Sequence, residues 1–513
     1  MRRQAIRGAG VTVFTQGLVF ALQLVSTVVL ARLLTPRDFG LVTMVTTFSL
    51  PLASFGLNGF TDAILQSEEV SHESASNLFW INLVMGLVLA LGFAEAGTLL
   101  QWFYKNSAVA PLAAGLSVTI FLSGTSVIHI ALLKRGMAFS EASVIDFSAR
   151  ALYVVVSITF GFLRWGYWAL VIGSAAQALA TTIGAFWFCR WIPGIPKRAQ
   201  GTNSMIRFAV HVYGRFSLNY STRNMDNLLV GWRFGAPALG FYKKAYDLFL
   251  LPSSQLLSPV VSVAVSTLSK LNQNRAQYRH DFLRGLSIVA LIGMATGADL
   301  TLVGQDLISV LLGPGWETAG RIFVLFGPGV GVMLIYNTLG WIHLSSGRAD
   351  RWFRWTIIEF AVTVLLFVLA LHWGPVGVAG AWTVSFWILT IPAFWYAGKP
   401  IDLKVSSVLA AVWRFLLASV ISGAACFAIV KSVAYLSFGA GTDLRSALGR
   451  LCATSVLFIL LYLLAVIVLH GGLGPIRQFA RLLGELLPQS KISQRPIPME
   501  VGADQSKNVM QDT

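Results

Sequence analysis

Long apolar runs joined by short polar connections dominate the pattern of the chain. The runs are about 20 to 27 residues long and lack a two-residue alternation, which is typical of membrane-spanning helices and not of β-barrel strands. The first run follows a basic N-terminus without a small-residue cleavage site, so we expect it to be retained as a span. The pattern predicts about fourteen spans, near residues 11–33, 40–64, 78–103, 110–133, 143–163, 166–189, 208–231, 238–268, 285–304, 320–344, 353–373, 376–398, 409–435 and 447–470.

One stretch in the middle of the chain, residues 211–252, is too polar for a helix that faces lipid on every side. At about 100° per residue, one sector of its helix carries Arg215, Asn219, Thr222, Arg223 and Asp226. An arginine or aspartate at mid-bilayer costs about 2.5 to 3.5 kcal/mol, so such residues normally face a bundle interior or water. The stretch therefore predicts a helix that lines a water-filled cavity.

An internal similarity relates the two halves of the chain. The segment DFGLVTMVTTFSLP, with Gly40 and Pro51, is echoed about 200 residues later by ALGFYKKAYDLFLLP, with Gly240 and Pro252. Six predicted spans separate the copies, so we expect two pseudo-symmetric six-helix lobes around a central cavity. The predicted units are the lobes 1–195 and 196–400, a terminal helix pair 401–472, and a segment 473–513 with an amphipathic helix and a disordered cytoplasmic tail.

Several residues interrupt the predicted spans and are candidate hinges. Pro51 and Pro252 lie inside spans, where proline removes a helix hydrogen bond. Gly327, Pro328 and Gly329 make the tenth span easy to bend. The alternative is close packing, because small residues let membrane helices approach one another.

Composition and charge agree with an all-α polytopic membrane protein. The 513 residues are 56% hydrophobic and 12% charged, with a mean hydropathy of +0.70, which is more apolar surface than one soluble core buries. The net charge of +16 suggests nucleic acid only if the basic residues cluster on a soluble surface. They instead fall on the even-numbered connections and the termini, about 24 against about 8 elsewhere, which favours two cytoplasmic termini and no nucleic-acid partner.

Candidate enzyme and metal chemistry is sparse. Cys189, Cys426 and Cys452 have no repeated spacing and no nearby histidine, so neither a disulfide framework nor a metal site is expected, and no cofactor is implied. The chain has no P-loop, H-E-x-x-H or G-x-S-x-G motif and no long extracytoplasmic connection. These features argue for a transporter and against a membrane polysaccharide polymerase or ligase, which remains an alternative.

Particular segments resemble a known family. The first half contains LARLLTPRDFGLVTMV, FGLNGFTDAILQ and NLFWINLVMG, and the second contains NYSTRNMDNLLVGWRFGAPALGFYKKAYDLFLLP, GPGW at 313–316 and LSSGRADRWFRW at 344–355. Over about residues 1–470 the chain resembles the WzxC-like polysaccharide flippases of the multidrug/oligosaccharidyl-lipid/polysaccharide exporter superfamily. It departs late in the eighth span, where many relatives carry a proline and this chain reads VAVSTLSKL.

The resemblance implies a fold and a function. The fold is two six-helix lobes that form a V around a central cavity, with extra terminal helices. The function is transfer of an undecaprenyl-pyrophosphate-linked oligosaccharide from the inner to the outer leaflet of the bacterial cytoplasmic membrane. Expected partners are that lipid-linked substrate, the surrounding lipids, a polysaccharide polymerase and a chain-length regulator. A drug/cation antiporter of the same architecture is the nearest alternative, and it is expected to favour acidic cavity groups.

A pyrophosphate linker calls for basic side chains, above all arginine, whose planar fork binds phosphate oxygens bidentately. The candidate substrate-binding residues are Arg150, Arg215, Asn219, Arg223, Lys243 and Lys244. Local acids offer a structural explanation for four of them, because Asp146, Asp226 and Asp247 lie three or four residues away on the same helix face. Arg215 has no such acid, and is the strongest headgroup candidate, with an interhelical salt bridge as the alternative.

Acids inside spans are candidate sites for a coupling ion. The main candidates are Asp62, Asp226 and Glu359, with Glu95 and Asp299 as further members of the set. Alternating exposure would make such a carboxylate a proton carrier, and one charge moved through 100 mV supplies about 2.3 kcal/mol. The alternative for each is a hydrogen-bonded structural carboxylate. Three aromatic residues are also candidates to stack on sugar rings, or else interfacial anchors: Tyr220, Trp232 and Tyr242.

Overall fold

The computed structural model describes residues 2–197, 202–271, 274–434 and 444–486. Within these ranges, a smaller set of side chains lies outside the description: those of residues 2–14, 58, 215, 252–263, 266, 349, 433–434, 480 and 482–486. The predicted tail beyond residue 486 and the side chains of Arg215 and Pro252 therefore lie outside the described residues.

Sixteen α-helices and two short 3-10 turns make up the secondary structure of the described ranges, which contain no strand. The helices are α1 Arg2–Leu33, α2 Pro36–Ala53, α3 Phe55–Gln66, α4 His72–Tyr104, α5 Val109–Arg135, α6 Phe139–Phe162, α7 Trp168–Cys189, α8 Thr202–Lys270, α9 Arg275–Leu312, α10 Glu317–Asn337, α11 Leu339–Ser345, α12 Ala349–Ala370, α13 Gly374–Gly398, α14 Val405–Ala434, α15 Leu444–His470 and α16 Gly474–Leu486, with 3-10 turns at Leu371–Trp373 and Lys399–Ile401.

Each predicted span falls on a helix or a helix pair. The second span corresponds to α2 with α3, and the tenth to α10 with α11. The seventh and eighth are the two arms of α8, residues 202–234 and 236–270, which meet at Gly235, where φ is 80° and ψ is −177°. Ten stretches of the described chain are long and apolar enough to cross a membrane, or eleven if α2 and α3 form one span. The all-helical, multi-pass membrane class is confirmed, whereas the count of fourteen stays a prediction.

The helices of the two halves pack in similar order. In the first half α4 packs on α5, α5 on α7, and α6 on both α7 and α1. In the second half α9 packs on α10, α10 on α13, and α12 on α13. The last two long helices, α14 and α15, pack on each other and on α9. The domain boundaries at residues 195, 400 and 472 stay predictions.

The crossing of α2 and the second arm of α8 joins the halves most closely. Thr35 and Asp38 form a capping box, with Pro36 at the first helical position, so α2 begins sharply at this crossing. A β-carbon at Gly40 would overlap the carbonyl of Ala236, and one at Gly240 would overlap the carbonyl of Pro36. Each helix thus contacts the other through the same pair of positions, the reciprocity expected of equivalent segments that cross at a two-fold axis.

Further contacts between the halves cluster at the same end of the helices. The indole Nε1 of Trp316 donates to the carbonyl of Ala31 at 2.9 Å, and the Arg32 guanidinium donates to the carbonyl of Val310 at 3.0 Å. The rings of Phe39 and Trp316 lie 5.7 Å apart, edge to face. These residues close the halves where α1 and α9 end.

The candidate hinge residues of α10 lie in a tightly packed seam. A β-carbon at Gly327 would overlap the Thr301 hydroxyl, and one at Gly329 would lie 2.8 Å from the Thr383 hydroxyl. The helix continues through Pro328, whose carbonyl accepts from the Trp387 indole at 3.2 Å. Close packing therefore accounts for these glycines, and a hinge role stays a prediction.

The other two candidate hinges lie in helices that belong to the repeated motif. Pro51 comes two residues before the end of α2, and α3 begins at Phe55. Its carbonyl accepts from the Tyr213 hydroxyl at 3.0 Å, so it is held against the first arm of α8. Pro252 lies within the helical range of α8. Their hinge roles stay predictions.

Candidate functional site

A cavity of about 520 Å³ lies between helices of the two halves, and we call it the inter-half cavity. Its lining comes from α1, α2, α6 and α7 of the first half and from the second arm of α8. The basic groups are Arg150 on α6 and Lys244 on α8, accompanied by Asp247, and neutral polar groups come from Gln23 and Gln177. Polar groups of both signs thus share a space inside the membrane-spanning bundle.

Arg150 retains binding capacity within this cavity. Its Nε donates to Asp146 Oδ1 at 2.9 Å, which confirms the pairing that the four-residue spacing predicts. The two side chains are 45% and 41% exposed, so water weakens this pair. The terminal guanidinium nitrogens make no hydrogen bond to any residue that the structure describes, which leaves a fork suited to phosphate oxygens.

The two neighbouring lysines have different contacts. Lys243 Nζ lies 2.8 Å from Asp247 Oδ1, as predicted. Lys244 forms no ion pair with Asp247, and its Nζ lies 3.8 Å from the centroid of the Phe39 ring on α2. The expectation that both lysines pair with Asp247 is therefore wrong for Lys244, since the crossing of α2 and α8 brings an aromatic face over it. The ring attracts the ammonium without supplying a negative counter-charge.

A second cavity lies within the second half and is much smaller, about 30 Å³, which is room for roughly one water molecule. We call it the carboxylate cavity. Its polar lining includes Thr222, Arg223 and Asp226 from α8, Glu359 and Thr363 from α12 and Ser385 from α13. It therefore joins the polar face of the central helix to the two helices that precede the terminal pair.

Both acids of the carboxylate cavity are held by tyrosines. Asp226 accepts from the Tyr242 hydroxyl at 2.7 Å and from the backbone N–H of Asn227 at 2.8 Å. Glu359 accepts from the Tyr336 hydroxyl at 2.9 Å, and Tyr336 in turn accepts from the Trp355 indole at 2.7 Å. These hydrogen bonds fix the direction in which each carboxylate points.

The predicted pairing of Arg223 with Asp226 is wrong. No ion pair or hydrogen bond joins them, and within the described ranges the ion pairs of the chain involve other residues. Asp226 is 2% exposed and already bonded by Tyr242, whereas the Arg223 side chain is exposed. The three-residue spacing places both side chains on one helix face. The Asp226 carboxylate is nevertheless hydrogen-bonded by Tyr242, sixteen residues later in the chain.

The other predicted site residues are dispersed. Asn219 is exposed on the first arm of α8, and Asp62 is half-buried on α3 in the other half. Glu95 is exposed on α4, and Asp299 accepts from the Ser455 hydroxyl of α15 at 3.2 Å. Hence the basic candidates do not form one cluster: Arg150 and Lys244 share the inter-half cavity, while Arg223 shares the carboxylate cavity with Asp226 and Glu359.

The aromatic candidates have structural contacts. Tyr242 is fully buried and its hydroxyl is bonded to Asp226, so the prediction that it stacks on sugar rings is wrong. Trp232 stacks on Phe103, with 6.3 Å between the ring centroids. Tyr220 lines a third cavity of about 450 Å³, mostly apolar, between α2, α4 and the opposite face of α8.

Sequence reasoning missed the glutamines of the inter-half cavity. Gln23 and Gln177 lie inside the spans α1 and α7, where an amide without a partner is costly. The sequence signal that could have found them is a single glutamine within an apolar span. Such a residue indicates a helix face that contacts water, as an arginine does, but more weakly.

Comparisons with known proteins agree with this architecture. WzxC, a lipopolysaccharide biosynthesis protein of Escherichia coli, is 23% identical over 412 residues, covering 78% of this chain and 82% of that protein. ExoT, a succinoglycan biosynthesis transport protein of Rhizobium meliloti, is 24% identical over 357 residues, covering 70% and 72%. TuaB, a teichuronic acid biosynthesis protein of Bacillus subtilis, is 24% identical over 407 residues, covering 77% and 83%.

Solved structures share the fold. The lipid II flippase MurJ in an inward closed conformation superposes with a TM-score of 0.72 at 15% identity, covering 92% of this chain and 99% of that one. An inward-facing multidrug resistance transporter of the MATE family and MOP superfamily gives a TM-score of 0.58 at 14% identity, covering 74% and 94%. A family profile described as polysaccharide biosynthesis protein matches residues 29–320, more than half of the chain. With its helical membrane fold and these relatives, the chain belongs to the polysaccharide biosynthesis protein family.

Proposed function

We propose that this chain is a flippase that moves a lipid-linked oligosaccharide across the cytoplasmic membrane for polysaccharide biosynthesis. The observation that carries the proposal is the inter-half cavity, which brings Arg150 of one half and Lys244 of the other into one space inside the membrane. The names of the relatives, which include a succinoglycan transport protein, support the same function. The substrate is an undecaprenyl-pyrophosphate-linked repeat unit.

The lining suits each part of such a molecule. The Arg150 fork and the Lys244 ammonium bind the pyrophosphate, because both are cations held in a partly dehydrated space. The amides of Gln23 and Gln177 hydrogen-bond saccharide hydroxyls. The polyprenyl tail stays in the bilayer, since apolar surface gains nothing by entering a polar cavity.

We infer that transport proceeds by alternating access as two lobes, residues 1–195 and 196–400, rock against each other, and that the crossing of α2 and α8 belongs to the contact between them that opens. The reciprocal contacts of Gly40 and Gly240 support a pseudo-two-fold axis at this point. By the predicted topology, the bonds of Trp316 to Ala31 and of Arg32 to Val310 lie at the outer ends of the helices. Opening to the outside therefore requires these bonds to break.

A coupling-ion role fits the carboxylate cavity. Asp226 and Glu359 are two acids beside one guanidinium, Arg223, in a space for about one small ion or water. Binding and release of a proton or cation there changes the charge of the helix that carries Arg223. Because that helix continues through Gly235 into the arm that bears Lys244, the two cavities are linked by one element.

The location and partners follow from the same proposal. The protein lies in the bacterial inner membrane with both termini in the cytoplasm, and its product passes to a polysaccharide polymerase under a chain-length regulator. Catalysis of a covalent step is not part of this function. Drug/cation antiport, the nearest alternative, is disfavoured by the basic groups of the inter-half cavity.

The test uses a strain that lacks this gene. Lys244→Ala is expected to reduce surface polymer at least tenfold, while lipid-linked repeat units accumulate at the inner leaflet and the protein level in the membrane stays normal. Lys431→Ala, which removes an exposed lysine of α14, is the matched control and should export normally. Normal polymer yield from Lys244→Ala, or drug sensitivity of the deletion strain without a polymer defect, would overturn the proposal.

A further inference from the structure

A cavity of about 560 Å³ separates the start of α9 from α16, and we call it the basic interfacial cavity. Two helix faces line it, each with residues spaced by three and four positions, so that one stripe of each helix points inward. The α9 stripe is His280, Leu283, Arg284 and Ser287, and the α16 stripe is Gly474, Arg477, Gln478 and Arg481.

The lining is basic and contains no acid. Arg284, Arg477 and Arg481 are exposed, and within the described ranges none of them forms an ion pair. The nearest acid along α9, Asp281, accepts from Gln277 at 3.1 Å through both carboxylate oxygens. Like charges held close without a counter-charge repel one another, so the arrangement calls for an anion from outside the chain.

The predicted topology puts the cavity at the level where lipid headgroups meet water. Only three residues separate the end of α15 at His470 from the start of α16 at Gly474. Phe479 of α16 packs on the hydrophobic core, so this helix is fixed along the protein's edge. With 38 residues, α9 is about 57 Å long, well beyond the roughly 30 Å hydrocarbon core, and its polar first three turns extend into the interface.

We propose that the basic interfacial cavity binds the phosphate headgroup of an anionic phospholipid. Arginine forks match phosphate oxygens, and four basic side chains on two facing helices can hold one headgroup from both sides. Basic pockets at the cytoplasmic ends of spans are suited to anionic lipids, and the predicted topology puts this cavity on that side. The bound lipid bridges α16 to α9 and is separate from the inter-half cavity proposed for the oligosaccharide.

The test is native mass spectrometry of the full-length protein, titrated with phosphatidylglycerol, and with phosphatidylcholine as the uncharged comparison. We expect phosphatidylglycerol to bind at least tenfold more tightly. The double variant Arg284→Gln with Arg477→Gln should lose that preference. The matched control is Arg348→Gln with Arg354→Gln, which removes two exposed arginines at the start of α12 and on the same predicted side. It should bind like the unaltered chain.

A third variant guards against loss of folding. Ser287→Glu puts a carboxylate into the cavity without removing an arginine and should weaken phosphatidylglycerol binding as the double variant does. A monodisperse elution profile in all variants shows that they fold. Equal binding of the two lipids, or equal losses in the cavity and control variants, would overturn the proposal. So would binding of inorganic phosphate that excludes phosphatidylglycerol completely, because the site would then serve a soluble anion.

Discussion

Arg150 shows how one side chain can have a structural partner and still serve a ligand. Its Nε is bonded to Asp146, but both side chains are partly exposed, Arg150 lines the inter-half cavity, and the rest of its guanidinium is unoccupied by described residues. An exposed ion pair contributes little stability, about 0 to 1 kcal/mol. The charge of Arg150 is therefore not needed to neutralise Asp146 and is available for phosphate.

This distinction predicts the behaviour of a neutral pair. Arg150→Gln combined with Asp146→Asn keeps a hydrogen-bonded pair without charge and should leave folding intact while polymer export falls at least tenfold. Arg150→Lys should export at an intermediate level, because lysine keeps the charge but not the fork. Export is measured as surface polymer per cell, with membrane protein quantified in parallel. If the neutral pair exports normally, Arg150 has only a structural role.

Tyr242 satisfies the buried carboxylate of Asp226 with a hydrogen bond. Its hydroxyl donates to a carboxylate that is 2% exposed, on the central helix α8. Removal of one partner leaves a buried acceptor unsatisfied, which costs about 1 to 3 kcal/mol, and more for a charged group.

Tyr242→Phe is therefore expected to lower the free energy of unfolding by about 1 to 3 kcal/mol. Tyr278→Phe is the matched control, because Tyr278 is equally buried and is bonded only to the neutral Ser345 hydroxyl. The control should lose about 0.5 to 1.5 kcal/mol. Chemical unfolding in detergent measures both. Equal losses would mean that the Asp226 bond has no special strength.

At the scale of elements, the crossing of α2 and α8 depends on two glycines. Gly40 and Gly240 face the carbonyls of Ala236 and Pro36 without room for a β-carbon. Helix α2 starts at this point because Thr35 and Asp38 cap it. This close approach of the two helix backbones explains why the sequence repeat has a glycine at corresponding positions of the two helices.

Gly40→Ala is expected to destabilise the fold by about 1 to 3 kcal/mol through overpacking, and Gly240→Ala by a similar amount because the contact is reciprocal. Gly92→Ala on α4 is the control. No heavy atom lies within 4 Å of its added β-carbon, so this exchange should be neutral or stabilising by up to about 1 kcal/mol. Thermal unfolding in detergent compares the three. A stable Gly40→Ala protein would contradict the observed crossing.

At the scale of the whole molecule, only the distribution of basic residues predicts which ends of the helices face the cytoplasm and which face the outside. Positions on the two sides of α5 report that orientation: Ser107 lies between α4 and α5, Ser140 is the second residue of α6, and both are exposed. The positive-inside rule puts Ser107 outside and Ser140 inside.

In intact cells, a membrane-impermeant thiol reagent should label Ser107→Cys and not Ser140→Cys, and both should react after lysis. The background needs Cys189, Cys426 and Cys452 replaced, because all three are free thiols. The opposite labelling pattern would invert the topology. It would also move the basic interfacial cavity to the outer face.

The sequence predicted side-chain partners that lie a few residues apart, but not partners that lie far apart in the chain. The pairs Arg150 with Asp146 and Lys243 with Asp247 followed from helix periodicity, because partners four residues apart share a helix face. The partners of Asp226, Glu359 and Lys244 did not, since Tyr242, Tyr336 and Phe39 reach them through helix packing. The strongest sequence candidate, Arg215, has its side chain outside the described residues.

The sequence by itself determined the membrane class, the approximate places of the helices and the family, because hydrophobic length, charge asymmetry and motifs are local properties. It also predicted that the central helix has a face in contact with water. Only the tertiary structure decided how the polar residues divide between an inter-half cavity and a carboxylate cavity. Which cavity a charge enters depends on which helices pack beside it, and that packing is fixed by contacts such as the glycine crossing, two hundred residues apart in the chain.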